Sequence, residues 1–382
     1  MGLTISCETI VGGIVGVMLA APVRGMRCDH QGEMHVFEAI VSLCLTLGDG
    51  PCRDQLLPGH EALTREACIA SLAASAPSLA SFDGLGVLGE PTCKPTGTAL
   101  DVTEVAPGVF VHMGLIAEPD ADNRGDVANL GFIIGTNGVA VIDTGAARWM
   151  AEALWRAIRQ RTDRPVTRVV LTHMHPDHAL GAAPFAAAGA QIIGHADLPR
   201  ALSDRQANYL ESLDRLIGTA EFIGTQTVPI GQLVQDRRDI DLGGRVLELR
   251  AWPLAHTAAD LTVLDKTTQT LFAGDLVFHR HTPALDGSLM GWQAVLAELQ
   301  TMELARLIPG HGGPALDWPQ GVAAMERYLN LLETDTRAAI EAGARLGDAV
   351  ETIAQGEAAY WELFEAYNPR NATGAFTELE WD

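Results

Sequence analysis

Apolar positions along the chain fall into two spacings, and the changes of spacing mark the elements. From Val102 onward, short β-branched runs alternate with stretches in which apolar residues return every three to four positions. The clearest run is Phe132 to Asp143, where two apolar segments meet at Asn137-Gly138, a dipeptide that predicts a tight hairpin. Trp149 to Ile158 then reads as a helix, Thr167 to Thr172 as a buried strand, Ala182 to Ala188 as a helix and Gln191 to Gly194 as a strand. Further strands are predicted over Arg245 to Trp252, Leu261 to Asp265 and Thr270 to Phe278. A helix over Trp292 to Met302, a strand over Arg306 to Ile308, and helices over Met325 to Leu332 and Ala338 to Gly347 complete the chain. Strands and helices mixed in this order predict an α/β (α+β) arrangement, sheets inside and helices outside.

The first quarter reads differently. Ile10 to Pro22 is an apolar run too short for a stable membrane span, and it fits the core of a secretory leader over residues 1–33. The fit is imperfect, because Met1 to Thr9 carries Glu8 and no basic residue. If translation begins at Met26 or Met34, the leader disappears and a cytoplasmic location follows. Residues 35–93 form a small cysteine-bearing module, with a strand over Val36 to Leu43 and a helix capped by Thr64. Glu90 to Thr98, with two prolines and a glycine, reads as a linker to a main domain over 102–316, followed by a helical extension over 317–382.

Composition narrows the class. In 382 residues, 47% are hydrophobic and 19% charged, the balance of a folded globular protein. Lys+Arg of 26 against Asp+Glu of 48 leaves a net charge of −22, which argues against nucleic acid or anionic lipid as a partner. All six cysteines precede Pro95. Cys44, Cys52, Cys68 and Cys93 form an even set in a short stretch, which predicts two disulfides in an oxidising, periplasmic compartment; three pairings satisfy the count.

The chemistry concentrates in Thr172-His173-Met174-His175-Pro176-Asp177-His178, at the end of an apolar strand. In extended backbone His173 and His175 face the same side and can share one cation, while Pro176 forces a bend that re-aims Asp177 and His178. His256, Asp275 and His311 each follow or end another apolar run. Gly274 permits close backbone approach beside Asp275. A dinuclear metal site follows from this pattern.

These segments resemble the metallo-β-lactamase superfamily over roughly Val102 to Gly313, with five motifs in order: Asp143, the His173/His175/Asp177/His178 cluster, His256, Asp275 and His311. The resemblance implies an αββα sandwich with two zinc ions, iron being the alternative metal. One zinc would take His173, His175 and His256, the other Asp177, His178 and His311, with Asp275 bridging and Asp143 orienting the cluster from behind. It further implies a hydrolase that attacks the carbonyl of a small-molecule ester, thioester, lactone or lactam with a metal-bridged hydroxide, Asp177 orienting the nucleophile and carrying its proton. Alternatives are a β-lactamase, a mononuclear-iron persulfide dioxygenase, and a non-catalytic metal-binding partner. At finer grain, Asn123 to Asn129, Asp286-Gly287-Ser288 and Asn371 to Glu378 resemble the quinoprotein relay system zinc metallohydrolases, which implies a quinoprotein dehydrogenase or cytochrome c as partner. Arg124, Asp126, His279, His281 and Ser288 are candidates to line the substrate pocket. His195 and Asp260 read as structural, and Asp286 as turn chemistry.

Overall fold

The computed structural model describes residues 37–45, 50–79, 82 and 84–381; the expected leader lies outside them. Three sheets organise the described chain. β1 (Phe37–Cys44), β2 (Cys52–Ala62) and β3 (Gly86–Pro95) form a small antiparallel sheet in the order β2-β1-β3, crossed by α1 (Arg65–Ala74). Thr64 accepts the Ala67 amide hydrogen as the helix cap. Disulfides join Cys44 to Cys52 and Cys68 to Cys93, which selects one of the three pairings.

The second sheet has seven strands in the order β10-β9-β8-β7-β6-β5-β4. They are β4 (Thr103–Ala106), β5 (Val109–His112), β6 (Leu130–Ile134), β7 (Val139–Ile142), β8 (Val166–Val170), β9 (Gln191–His195) and β10 (Gln232–Val234). The third runs β11-β12-β13-β14-β15: Arg237–Asp241, Val246–Ala251, Leu261–Asp265, Thr270–Phe278 and Arg306–His311. These central strands are apolar on both faces, so both faces must be covered. Ile133, Ala140, Ile142 and Val170 meet Leu247, Leu249, Val263 and Phe272 between the two sheets. Their neighbours one position away, Phe132, Val141 and Val169, turn outward beneath α2 (Arg148–Arg159), α3 (Pro176–Ala179), α4 (Ala183–Ala187) and α5 (Leu198–Ile217), with the short α6 (Thr219–Phe222) following. On the far side Leu271 and Ala273 lie beneath α7 (Leu289–Leu299), α8 (Ala323–Glu341), α9 (Leu346–Val350) and α10 (Phe364–Leu379). The result is the αββα sandwich, with the Asn137-Gly138 hairpin between β6 and β7 as predicted.

Three local readings are corrected. Glu90 to Thr98 is no linker: most of it is β3, an edge strand that pairs only with β1. The ladder slips between Ile40↔Thr92 and Ser42↔Leu88, and the bulge takes up Pro91, so the proline breaks no ladder there. The helix expected over Met325 to Leu332 runs on to Glu341 as α8 and takes in the start of the one expected over Ala338 to Gly347, whose last two residues begin α9. The polar middle of α8 stays helical because Arg337 pairs with Glu333 one turn back and the Thr336 hydroxyl donates to the Leu332 carbonyl. Finally, α5 was not anticipated, since half of its 20 residues are polar; it proves to wall the cleft described next.

Candidate metal centre

The metal-ligand candidates gather at one edge of the sandwich, beyond or at strand ends except for Asp275, which lies within β14. Asp143 follows β7 in a left-handed backbone conformation, with φ of 59°. Thr172 to His175 follow β8, and Pro176 occupies the first turn of α3, so the chain bends there as its sequence required and carries Asp177 and His178 on a new element. His256 lies in the β12–β13 connection, Asp275 in β14 and His311 at the end of β15. Close approach makes this convergence feasible. A Cβ on Gly274 (φ 53°) would stand 2.7 Å from the Thr172 side chain, and one on Gly310 would fall 1.9 Å from Asp275 Oδ1.

Two groups of ligand atoms result: His173, His175, His256 and Asp275 in one, Asp177, His178 and His311 in the other, each within 4.8 Å among its members. The tautomers can be read from the outward hydrogen bonds. His256 Nδ1 donates to the Ala284 carbonyl at 2.6 Å and His311 Nδ1 to the Val127 carbonyl at 2.9 Å. His178 Nδ1 donates to Asp143 Oδ2 at 2.8 Å, and His175 Nε2 to Asp286 Oδ2 at 3.0 Å. The Thr172 hydroxyl gives its proton to Asp143, so it accepts from His173 Nδ1 at 2.9 Å. In five histidines the outward nitrogen is therefore the donor, and the inward one presents a lone pair. His173 Nε2 and His256 Nε2 each stand 3.1 Å from His175 Nδ1, lone pair against lone pair. Asp275 Oδ1 lies 3.1 Å from His178 Nε2 yet receives no hydrogen bond, and Oδ2 lies 3.4 to 3.6 Å from the inward nitrogens of His311, His256 and His173.

Such a constellation is stable only with positive charge at its centre, so the donor set fits divalent cations. Electrostatics agree. Burial alone would lower His178, but Asp275, Asp177 and Asp143 outweigh it and raise it well above the ordinary imidazole value. Burial likewise opposes ionisation of Asp275, yet His311, His178 and His173 hold it well below the usual carboxylate range. His256, where burial dominates, is pushed down to about 3 and stays a neutral ligand.

The ligands open into a cleft of about 500 Å³ walled by Glu118, Tyr209, Leu213, Leu216, Phe278, Leu285 and Tyr367, with Asp177 and His281 at the metal end. His281 thus reaches the pocket, its ring tilted by 40° against that of His311 with centres 4.8 Å apart. The other four pocket candidates do not. Arg124 pairs with Glu221 and lies over Trp149. Asp126 accepts from His112 Nε2 at 2.7 Å. Ser288 caps α7 and donates to Glu378. His279 turns toward Gly313 behind β15, and its amide donates to the His311 carbonyl. Arg124, Asp126 and Ser288 are each held by another partner, whereas His279 Nδ1 is buried with no hydrogen-bond partner among the described residues. Asp260 supports its loop as expected, accepting from the Thr257 amide and hydroxyl, and burial raises its carboxyl to about 7. Asp286 was misjudged: it holds His175 and is itself gripped by both Nη atoms of Arg205 on α5. The partners are 111 and 81 positions away, so no local pattern could disclose them.

Residues 123–311, nearly half of the chain, match the model of the Metallo-beta-lactamase superfamily. Over that stretch the chain is similar to that superfamily. Among solved structures, the chain is similar to a stereoselective inverting sec-alkylsulfatase from Pseudomonas sp. at 17% identity and TM-score 0.57, covering 73% of this chain and 50% of that one. It thus spans about half the length of that relative. It is also similar to a metallo-beta-lactamase from Pontibacter korlensis at 20% identity and TM-score 0.50, over 60% of this chain and 99% of that one. No curated protein sequence matches the chain significantly. At these identities the structural likeness speaks for the metallo-β-lactamase fold. Among the described residues, no helix is long and apolar enough to cross a membrane.

Proposed function

We propose that the protein is a dinuclear zinc hydrolase acting on the carbonyl of a small-molecule ester, thioester, lactone or lactam. The observation that carries this reading is the inward convergence of five imidazole lone pairs and the unsatisfied Asp275 carboxylate at the floor of an apolar cleft. Bound zinc would supply Lewis acidity and a water acidic enough to ionise near pH 7. His173, His175 and His256 would hold one ion, Asp177, His178 and His311 the other, with Asp275 between them. Asp177 keeps its carboxylate at the cleft floor, 3.4 Å from His311 Nε2, where it can orient a water and take its proton. The walls of Leu213, Leu216, Phe278 and Leu285 exclude water and suit an apolar acyl or alkyl body.

Two disulfides support an oxidising compartment such as the periplasm. There the protein would serve a quinoprotein dehydrogenase or its cytochrome c, a role that rests on the motif resemblance. The test is metal quantification on the purified full chain, expected to give two zinc per chain, followed by an ester, thioester, lactone, lactam and sec-alkyl sulfate panel. Asp177→Ala should cut turnover by about 10²-fold or more while leaving the fold intact. Zinc-loaded protein that turns over nothing on the panel, yet co-purifies with a dehydrogenase or cytochrome, would replace the hydrolase by a non-catalytic role. A single iron with oxygen consumption on a persulfide would replace it by a dioxygenase.

A further inference from the structure

His281 brings an unused ring nitrogen to the metal end of the cleft. The ring lines the cleft, and only 2% of the residue is exposed. Its Nδ1 stands 2.6 Å from the Thr282 carbonyl, which can only accept, so Nδ1 carries the proton and Nε2 presents a lone pair. Nε2 has no hydrogen-bond partner among the described residues, yet it is not sealed as His279 Nδ1 is, and the cleft is the space this ring faces. It belongs to neither group of converging ligand atoms.

The ring is held in place from several sides. His311 lies against it with centres 4.8 Å apart, Tyr367 meets it edge-on at 4.7 Å and Phe278 packs at 5.4 Å. Its backbone is pinned too: the Thr282 amide and hydroxyl donate to the Glu362 carbonyl, and the Glu362 amide donates to the Arg280 carbonyl. Other acceptors of the cleft are engaged. Asp286 takes His175 and Arg205, Glu118 takes the Tyr367 hydroxyl, and Asp177 and Asp275 face the imidazoles of the metal groups. A fixed lone pair in a cleft with apolar walls sorts ligands: a donor in register satisfies it, whereas a ligand without one expels water and strands it. Because the ring abuts His311, the donor it reads belongs to the reacting end of a substrate.

We propose that His281 Nε2 is a specificity-determining acceptor, which selects substrates carrying a hydroxyl or amide N–H donor close to the scissile carbonyl. The assignment rests on the hydrolase reading above and narrows its substrate class. Among esters, thioesters, lactones and lactams, those with such a donor are favoured over the same skeleton with carbon in its place.

The probes are phosphonates, tetrahedral anions that stand in for the attacked carbonyl, bound to the zinc-loaded full chain and followed by calorimetry. At about pH 8 an imidazole with its ordinary value of about 6.5 is neutral. Hydroxymethylphosphonate is paired with ethylphosphonate, and acetamidomethylphosphonate with 3-oxobutylphosphonate; within each pair one donor is replaced by carbon. Wild type should bind the donor-bearing member of at least one pair about 10-fold or more tightly, and the pair that shows it tells hydroxyl from amide. His281→Phe and His281→Leu should bring that ratio to about one at unchanged zinc content. Both affinities are read on the same preparation, so incomplete folding or zinc loading cancels in the ratio. Equal affinities within both pairs, a preference that survives both substitutions, or no binding of any of the four overturns the role of His281 and leaves the hydrolase reading to the substrate panel. A His281-dependent preference in a protein that turns over no panel substrate overturns the hydrolase reading and keeps the acceptor.

Discussion

Replacing Asp143 by Asn separates the carboxylate that supports the metal centre from the centre itself. The backbone should tolerate the change, because Asn accepts the left-handed conformation that Asp143 adopts at φ of 59°. The carboxylate accepts three hydrogen bonds of 2.8 Å: Thr172 N to Oδ1, and both the Thr172 hydroxyl and His178 Nδ1 to Oδ2. An amide keeps one acceptor oxygen, and the immobile Thr172 amide hydrogen claims it. The new NH₂ then faces His178 Nδ1–H, donor against donor, and His178 must either lose this bond or move its proton to Nε2, the atom meant to carry the metal. A charge-assisted hydrogen bond is worth about 1.5–3 kcal/mol, or about 10–100-fold in metal affinity when it orients a ligand. The Thr172 hydroxyl must also turn toward the amide as an acceptor, so its proton now opposes His173 Nδ1–H and the second group weakens to a lesser degree. Competition titration with a zinc chelator should therefore show both equivalents weakened, the His178 group more. Far-ultraviolet circular dichroism should remain that of the folded protein. A folded Asp143→Asn variant that holds both zinc ions within twofold of wild type would refute the tautomer assignment.

Asn371→Leu should weaken zinc binding from a distance. Asn371 accepts from the Leu285 amide and donates to the Pro283 carbonyl and to Tyr328 Oη, pinning the segment whose Ala284 carbonyl orients His256. Stranding these buried groups costs about 1–3 kcal/mol each. A chelator titration that shows unchanged zinc affinity, alongside a lowered melting temperature, would sever that link. Asp265→Asn tests the stability of the third sheet. Burial would raise the Asp265 carboxyl, but the Arg245 and Thr268 hydrogen bonds outweigh it and hold the value below the ordinary 3.8. Its contribution is thus complete above about pH 4 and is lost as pH falls through the lower folded value. The variant should lose about 3–5 kcal/mol at pH 7 by urea denaturation. The deficit should shrink in acid below pH 3.8, and an equal deficit at pH 3 and pH 7 would contradict the ion pair.

What could be read from the sequence and what could not divide along chain distance. Strands such as Val139–Ile142 and Thr270–Phe278 were legible because burial on both faces leaves an unbroken apolar run. The seven candidate ligands were legible because they cluster after the β8 run or interrupt and follow other apolar runs. α5 was missed because half of its 20 residues are polar, although Leu198, Leu202, Leu213 and Ile217 return at helical spacing. Pro91 and Pro95 suggested a linker because an edge strand tolerates what a central strand does not. The outward partners of the histidines, Val127, Ala284 and Asp286, were invisible: two act through backbone carbonyls, which no side chain advertises, and all lie far along the chain from the rings they hold.

That division bears on how the site is specified. All seven candidate ligands fall within the region that matches the superfamily model, residues 123–311. The loop from His279 to Met290, which supplies the carbonyl for His256 and the carboxylate for His175, is instead fastened from beyond that region. Glu362 accepts from the Thr282 amide and hydroxyl through its carbonyl, Asn371 holds Leu285, and Glu378 accepts from Ser288 Oγ and from the Leu289 and Met290 amides. The outer cleft wall follows the same rule, for Glu118, Tyr367 and Arg370 also lie outside the matched region. The orientation of the candidate ligands is therefore encoded partly outside the matched region. Substitutions on α10 can reach both the cleft wall, at Tyr367 and Arg370, and the loop that orients His175 and His256, through Asn371 and Glu378.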